Sequence, residues 1–262
     1  MNLLTAVKTG PLYWDFYVTE EDEFLGSVGF ENFDLEKRTC HLKFELGEAD
    51  FTFDRYLESF RFVTENAIFE RNMTRVHVAL PIEDQSAHNI LVRIGYLVGR
   101  EFSQGKTRMR RYSCDRYDLV RALAEAQMAE HLDLNLWTFG WDSAKRRLGV
   151  CKYDQHLISL SRYFVDLHPL DDIDQVMRHE IAHALAGPKA GHGVKWKRIA
   201  TSLGYHHKRI SGEQIGNATA KLIGTCPNGH TVYRHRKPKT VLSCSICSTR
   251  FDRRYLITWT AR

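Results

Sequence analysis

His179-Glu180-Ile181-Ala182-His183 decides how this chain is read. On a helix, residues four apart share a face, so the two imidazoles point the same way and can grip one divalent ion. Glu180 then stands beside that ion, where a base is needed. Neutral imidazole suits Zn²⁺, the metal brings water into the neutral titration range, and a carboxylate can take the released proton. The surroundings read as a helix. Pro169, Asp171 and Asp172 supply a start, and Ile173, Val176, Met177, Ile181, Ala184 and Leu185 make an apolar stripe at helical spacing. Gly187 and Pro188 stop it. A catalytic zinc takes three protein ligands and leaves one position open, so a third ligand must come from beyond that stop. His192 is the candidate, after the turn Gly187-Pro188-Lys189-Ala190-Gly191 and ahead of a second helix expected over residues 194–203, which carries Trp196. The pattern is that of a zinc hydrolase, most simply a protease.

The whole stretch HEIAHALAGPKAGHGVKWKRIATSLG, residues 179–204, resembles the SprT-like metalloprotease family, which includes the Spartan proteases of DNA-protein crosslink repair. Upstream, residues 137–141 with Trp137 and Trp141, then Arg147-Leu148-Gly149 and Ile158-Ser159-Leu160-Ser161, are similar to that family's short strands ahead of the metal helix. The likeness covers residues 115–210. It implies zinc on His179, His183 and His192, with Glu180 as general base and proton shuttle. No motif fixes the oxyanion-stabilising group. His206 and His207 read as exposed histidines beyond this core.

A second ligand group follows. Cys226-Pro227-Asn228-Gly229-His230 and Cys244-Ser245-Ile246-Cys247 form two short pairs around a basic, strand-like hairpin, the arrangement of a zinc ribbon. Four closed ligands make a structural site, with His235 as the alternative to His230. SprT-like proteins often carry such a ribbon; here a histidine replaces one of the usual cysteines. The expectation is one catalytic and one structural Zn²⁺. A tail this short buries little core, so metal binding is what folds it. Cys40, Cys114 and Cys151 are widely spaced and read as free or buried thiols.

Charge is unevenly distributed. The chain's net charge of +5 conceals fifteen Lys and Arg against two acidic residues over residues 187–262, whereas residues 1–113 carry fourteen against eighteen. Arg234, Arg236, Lys237, Lys239, Arg250, Arg253 and Arg254 crowd the ribbon, with Tyr233, Tyr255 and Trp259 among them. Basic groups neutralise phosphates and aromatics stack on unpaired bases, so sequence-tolerant, salt-sensitive DNA binding is expected. No apolar run is long enough to span a membrane, and the first residues lack the apolar core of a signal peptide. Thiol usage fits a reducing compartment, which places the protein in the cytoplasm and predicts no membrane partner.

The first 113 residues read differently. Residues 12–18, 24–30 and 39–46 alternate as strands, 56–71 form an amphipathic helix, 75–80 a buried strand, 86–94 a short helix and 96–102 another strand. FLGSVGFENFDLEKRTCHLKFEL (24–46), TRVHVAL (74–80) and SAHNILVRIGYLVGRE (86–101) resemble the GNAT acyl-CoA N-acetyltransferase superfamily. In that family, glycines after the fourth strand let backbone N–H groups approach a pyrophosphate. Here residues 47–54, GEADFTFD, put acidic and aromatic side chains in that place. The departure argues against acetyl-CoA as a cofactor and for a binding or positioning module.

The sequence therefore predicts an α+β, multidomain chain: a GNAT-like domain (1–113), a SprT-like zincin domain (114–222) and a zinc ribbon (223–262), with the boundary in the polar stretch 106–115 and a helix over 117–130. The expected function is a zinc-dependent endopeptidase acting on DNA-associated or DNA-crosslinked protein, with the first domain selecting a substrate or partner. Two rivals stand beside it: an acetyl-CoA-dependent N-acetyltransferase directed by the C-terminal half, and a non-catalytic DNA-binding adaptor.

Overall fold

The computed structural model describes residues 4–10, 12–18, 23–46, 53–208 and 210–262. The chain divides into two compact units, Met1–Phe139 and Gly140–Arg262. The fold is α+β throughout, as expected. No helix among the described residues is long and apolar enough to cross a membrane.

The first unit is built on a seven-stranded sheet. Its strands are β1 (Leu4–Lys8), β2 (Tyr13–Val18), β3 (Glu23–Asp34), β4 (Thr39–Leu46), β5 (Arg75–Pro81), β6 (Leu97–Gln104) and β7 (Thr107–Asp115), in the spatial order β1-β2-β3-β4-β5-β7-β6. β4 and β5 run parallel through Thr39↔Arg75 to His41↔His77, and the other neighbours run antiparallel. β5 alternates as period two demands, with Val76, Val78 and Leu80 turned into the core. The helices are α1 (Phe53–Glu65), continued by a π-helical turn at Asn66–Glu70, then α2 (Gln85–Ile94) and α3 (Arg116–Ala129). Phe60, Val63, Ile68, Ile90, Leu91 and Ile94 join the sheet's buried residues in one core. Residues 47–52 of the stretch compared with a pyrophosphate loop lie outside the described residues.

The boundary differs from the expectation. Residues 106–115 are not a polar linker, because β7 occupies them and is hydrogen-bonded between β5 and β6. Its outer half is polar: Arg108 and Arg110 pair with Glu101 at 2.6 and 2.5 Å, while only Tyr112 and Cys114 turn inward. Its apolar residues, Met109, Tyr112 and Cys114, do not alternate, so no local pattern announces a strand. Asp115 then opens α3 with a capping box, its carboxylate accepting from Tyr117 and Asp118 N–H while Asp118 accepts from the Asp115 N–H. Leu119 on that helix belongs to the first core, so the first unit continues beyond residue 113.

The second unit takes in all but the first two residues of a small sheet of β8 (Thr138–Asp142), β9 (Gly149–Lys152) and β10 (Leu157–Ser161), in the order β8-β10-β9. β9 is an edge strand, antiparallel to β10 and packed on the helix Leu170–Ala186. The helices α4 (Arg162–Leu167), α5 (Leu170–Ala186), α6 (Val194–Ser202) and α7 (Glu213–Ala218) follow. The tail closes with β11 (Leu222–Thr225), β12 (Thr231–Arg234) and β13 (Thr258–Ala261), ordered β12-β11-β13. By compactness this ribbon belongs to the same unit as α5.

Candidate active site and metal centres

α5 carries Asp171 and Asp172 in its first turn, where negative charge complements the unpaired N–H groups. Ile173, Val176, Met177, Ile181, Ala182 and Ala186 are buried along it, whereas Leu185, expected on the same stripe, is exposed. The helix stops at Gly187, whose φ of 88° lies in the left-handed region that disfavours a side chain. Two tight turns follow, Ala190 N–H to Gly187 O (3.1 Å) and Gly193 N–H to Ala190 O (3.0 Å), and they return the chain to the helix face.

That return brings His192 onto His179 and His183. Their Nε2 atoms stand 3.2 Å (179–183), 3.1 Å (179–192) and 3.0 Å (183–192) apart. Three ring nitrogens this close cannot satisfy one another, since a neutral imidazole has one N–H to share. A tetrahedral Zn²⁺ with bonds of about 2.0–2.1 Å needs N···N separations of roughly 3.3–3.4 Å, so the cluster fits such an ion. Burial, reinforced by the neighbouring imidazoles, lowers His179 and His183 to about 4, which keeps both neutral and able to ligate at pH 7. Trp196 of α6 is buried behind the cluster, its ring 4.8, 5.3 and 4.6 Å from those of His179, His183 and His192.

Glu180 is 7% exposed and faces β9. Burial raises its carboxyl to about 8, against the opposing pull of the Cys151 N–H and of Arg147. Gly149 makes the close approach possible: a Cβ there would lie 3.0 Å from both Glu180 Cγ and Val176 Cγ1. Asp142 anchors the loop leading into β9. It accepts from Ser159 Oγ and Ala144 N–H, both at 2.8 Å, and pairs with Arg147 at 3.0 Å.

Three further residues enter the site without a spacing signal in the sequence. The Tyr153 hydroxyl donates to the His183 carbonyl at 2.9 Å. Tyr205 sets its ring 5.3 Å from His179 and 5.8 Å from Trp196. His207 is exposed, as expected, yet packs on Tyr205 at 5.0 Å and meets Thr201 Oγ1 at 2.9 Å. They come from a 3₁₀ turn and from a loop, where no periodicity marks a residue as inward-facing.

In the tail, Cys226, His230, Cys244 and Cys247 converge. The Sγ–Nδ1 distances from His230 are 3.6 Å to Cys226, 3.7 Å to Cys244 and 3.2 Å to Cys247, and Cys226 lies 3.8 Å from Cys247. A tetrahedral Zn²⁺ with Zn–S bonds of about 2.3 Å demands separations of roughly 3.6–3.8 Å, so four ligands fit without a free vertex. Burial opposes ionisation of the Cys244 thiol, but the N–H groups of Cys247 and Ile246 outweigh it and bring the thiol down to about 7. His230 joins the cluster and His235 stands outside it. Cys40, Cys114 and Cys151 are free thiols, the first two buried.

Three of the tail residues expected at a nucleic-acid surface share one cleft. Tyr233, Arg234 and Arg236 line a single cleft, and Lys237, Lys239, Arg250, Arg253, Arg254 and Trp259 are not part of its lining. Arg254 is held by Asp252 at 2.7 Å, and Arg234 lies over the Trp259 ring at 6.0 Å.

Residues 119–216 match the SprT-like family, which points to a zincin-type peptidase for this stretch. No curated protein matches the chain. Among solved structures, a GNAT-family acetyltransferase from Bacillus anthracis is similar at 13% identity and a TM-score of 0.37, over 41% of this chain and 68% of that one. The ribosomal-protein-S5-alanine acetyltransferase from Vibrio fischeri is similar at 14% identity and a TM-score of 0.38, over 45% of this chain and 64% of its own length.

Proposed function

We propose that this protein is a zinc-dependent endopeptidase of the SprT-like type, acting on proteins associated with or crosslinked to DNA. The observation that carries the reading is the convergence of three Nε2 atoms within 3.0–3.2 Å, with a buried carboxylate beside them on the same helix. A Zn²⁺ held by His179, His183 and His192 supplies Lewis-acid polarisation of a carbonyl and of water. Glu180 takes a proton from the attacking water and hands it to the leaving amine. Tyr153 fixes the backbone that carries His183. β9 is an edge strand packed on α5, and an extended substrate can add beside it as a further strand.

The basic tail supports the choice of substrate. A protease held on DNA by sequence-independent phosphate contacts meets DNA-bound proteins at high effective concentration, so a permissive cleft suffices. The N-terminal unit is read as a module for substrate or partner recognition. The test is incubation of the zinc-loaded protein with a DNA-binding protein, with and without single-stranded DNA, beside Glu180→Gln. Cleavage by the parent chain, with turnover reduced at least ~100-fold and zinc content unchanged in the variant, supports the reading. Cleavage retained by the variant removes Glu180 from the mechanism.

A further inference from the structure

Hydrolysis of an amide puts negative charge on the former carbonyl oxygen, and a hydrogen-bond donor held ready for that charge contributes about 10²–10³-fold to kcat. Three donors near the histidines and Glu180 are already engaged. The Tyr153 hydroxyl donates to the His183 carbonyl at 2.9 Å, His207 Nε2 meets Thr201 Oγ1 at 2.9 Å, and Arg147 is paired with Asp142 at 3.0 Å. Tyr205 differs from them. It is half-buried, yet its hydroxyl makes no hydrogen bond among the described residues. Its ring stands edge-on to His179, with centroids 5.3 Å apart and planes at 74°. Burial first, and then the Glu180 carboxylate, raise the phenol above its ordinary value, so the ring lies within electrostatic reach of the group that takes the water proton.

The chain around Tyr205 is fixed from both sides. α6 ends in a left-handed stop: Gly204 has a φ of 78°, and the Tyr205 and Gly204 N–H groups donate back to Ala200 O and Thr201 O at 2.9 and 3.0 Å. Gln175 of α5 brackets Tyr205, its amide donating to Gly204 O at 3.4 Å and accepting from His206 N–H at 2.8 Å. The Arg178 guanidinium, paired with Asp174 at 2.6 Å, donates to Leu203 O. Both residues lie within about one turn of His179 on the same helix, so the loop is tied to the element that carries the histidines.

We propose that the Tyr205 hydroxyl donates to the oxygen that gains charge as water adds to the scissile carbonyl, and that Gln175 and Arg178 hold the loop in place for it. The inference rests on the reading of this protein as a zinc peptidase and supplies the oxyanion-stabilising group that no motif fixes. As the water oxygen bonds to the carbonyl carbon, the C=O π pair moves onto oxygen and Glu180 takes one water proton. The C–N bond then breaks with its electrons on nitrogen, which receives that proton, and the second water proton stays on the acid product. Tyr205 keeps its own proton throughout. Gln175 and Arg178 are positioning residues.

The test uses the zinc-loaded full chain and a quenched-fluorescence peptide spanning the bond that it cuts in a DNA-binding protein. Tyr205→Phe is expected to lower kcat about 100-fold, with KM within about threefold and zinc content unchanged. A phosphinic analogue of that peptide, with a tetrahedral anionic phosphorus in place of the scissile carbonyl, should bind the variant about 100-fold more weakly by calorimetry. The uncut peptide, bound to Glu180→Gln with and without Tyr205→Phe, should change by less than about threefold. Gln175→Ala is expected to lower kcat about 10-fold in the parent chain and to cost nothing further beside Tyr205→Phe. Additive losses overturn the clamp. Equal losses of affinity for the analogue and the uncut peptide make Tyr205 a substrate-binding group, and loss of zinc makes it a support of the histidines; either result overturns the assignment. A Tyr205→Phe chain as active as the parent overturns it too and leaves the peptidase reading intact. A parent chain that cuts no DNA-binding protein, with or without single-stranded DNA, overturns both.

Discussion

Three imidazoles reach their common point from elements that are already packed. His179 and His183 ride on α5, which buries Ile173, Val176, Met177 and Ile181, and His192 sits ahead of α6, which buries Trp196 and Ala200. The ribbon ligands sit outside the three four-residue strands, Cys226 just after β11, His230 just before β12, and Cys244 and Cys247 between β12 and β13, and nearby Val241, Ile246 and Phe251 remain exposed at 66%, 70% and 59%. In the first region the fold positions the ligands, and in the second the ligands must hold the fold. Donor sets follow the same division. Around a bound Zn²⁺, three nitrogens would leave a vertex free for chemistry, whereas three sulfurs and a nitrogen would close the shell.

The largest way to break this contrast is Cys244→Ser with Cys247→Ser. Structural zinc contributes about 10–16 kcal/mol to small metal-held folds, so the ribbon is expected to unfold. Limited proteolysis should then cut beyond residue 222 while zinc on the histidine cluster, measured by elemental analysis, persists; an uncut tail would show that the ribbon stands without its metal. Gly149→Ala sharpens the other side. Its Cβ would press on Glu180 Cγ and Val176 Cγ1 at 3.0 Å, and displacing a proton-transfer group this far should reduce kcat by roughly 10-fold with zinc content unchanged. A parent-like kcat would mean that β9 yields without moving Glu180. Smallest is Tyr153→Phe, which removes the bond to the His183 carbonyl. The cost is about 1 kcal/mol, a drop in Tm of ~3 °C, and calorimetry giving no change would make that bond inconsequential.

How far these features could be read in advance depended on whether local pattern and tertiary packing agreed. α5 was legible because its apolar spacing, acidic start and glycine stop all describe one helix, and the ligand pair falls on that helix's face. The Cys226 to Cys247 cluster was legible through short spacings that leave little geometric freedom. β7 was not, since its polar outer half pairs with Glu101 across the sheet, a partner no local window contains. β1 is a five-residue strand with mostly exposed side chains, so nothing in its alternation marks it. The choice between His230 and His235 also needed coordinates, because both lie within reach of the hairpin. Tyr153 and Tyr205 enter the site by chain reversals whose direction the sequence does not encode.

α3 links two descriptions of the molecule that would otherwise separate cleanly. The family match begins at Leu119, yet Leu119 is buried in the core of the first unit, and Val120, Ala124 and Met128 on the same helix are buried as well. Natural recombination or a cloner cutting at either apparent border thus faces a dilemma. A fragment starting at 116 carries a greasy helix stripped of its bed, and one starting at 140 discards the opening of the family match. The family border and the packing border therefore fall at different places in the chain, with that helix between them.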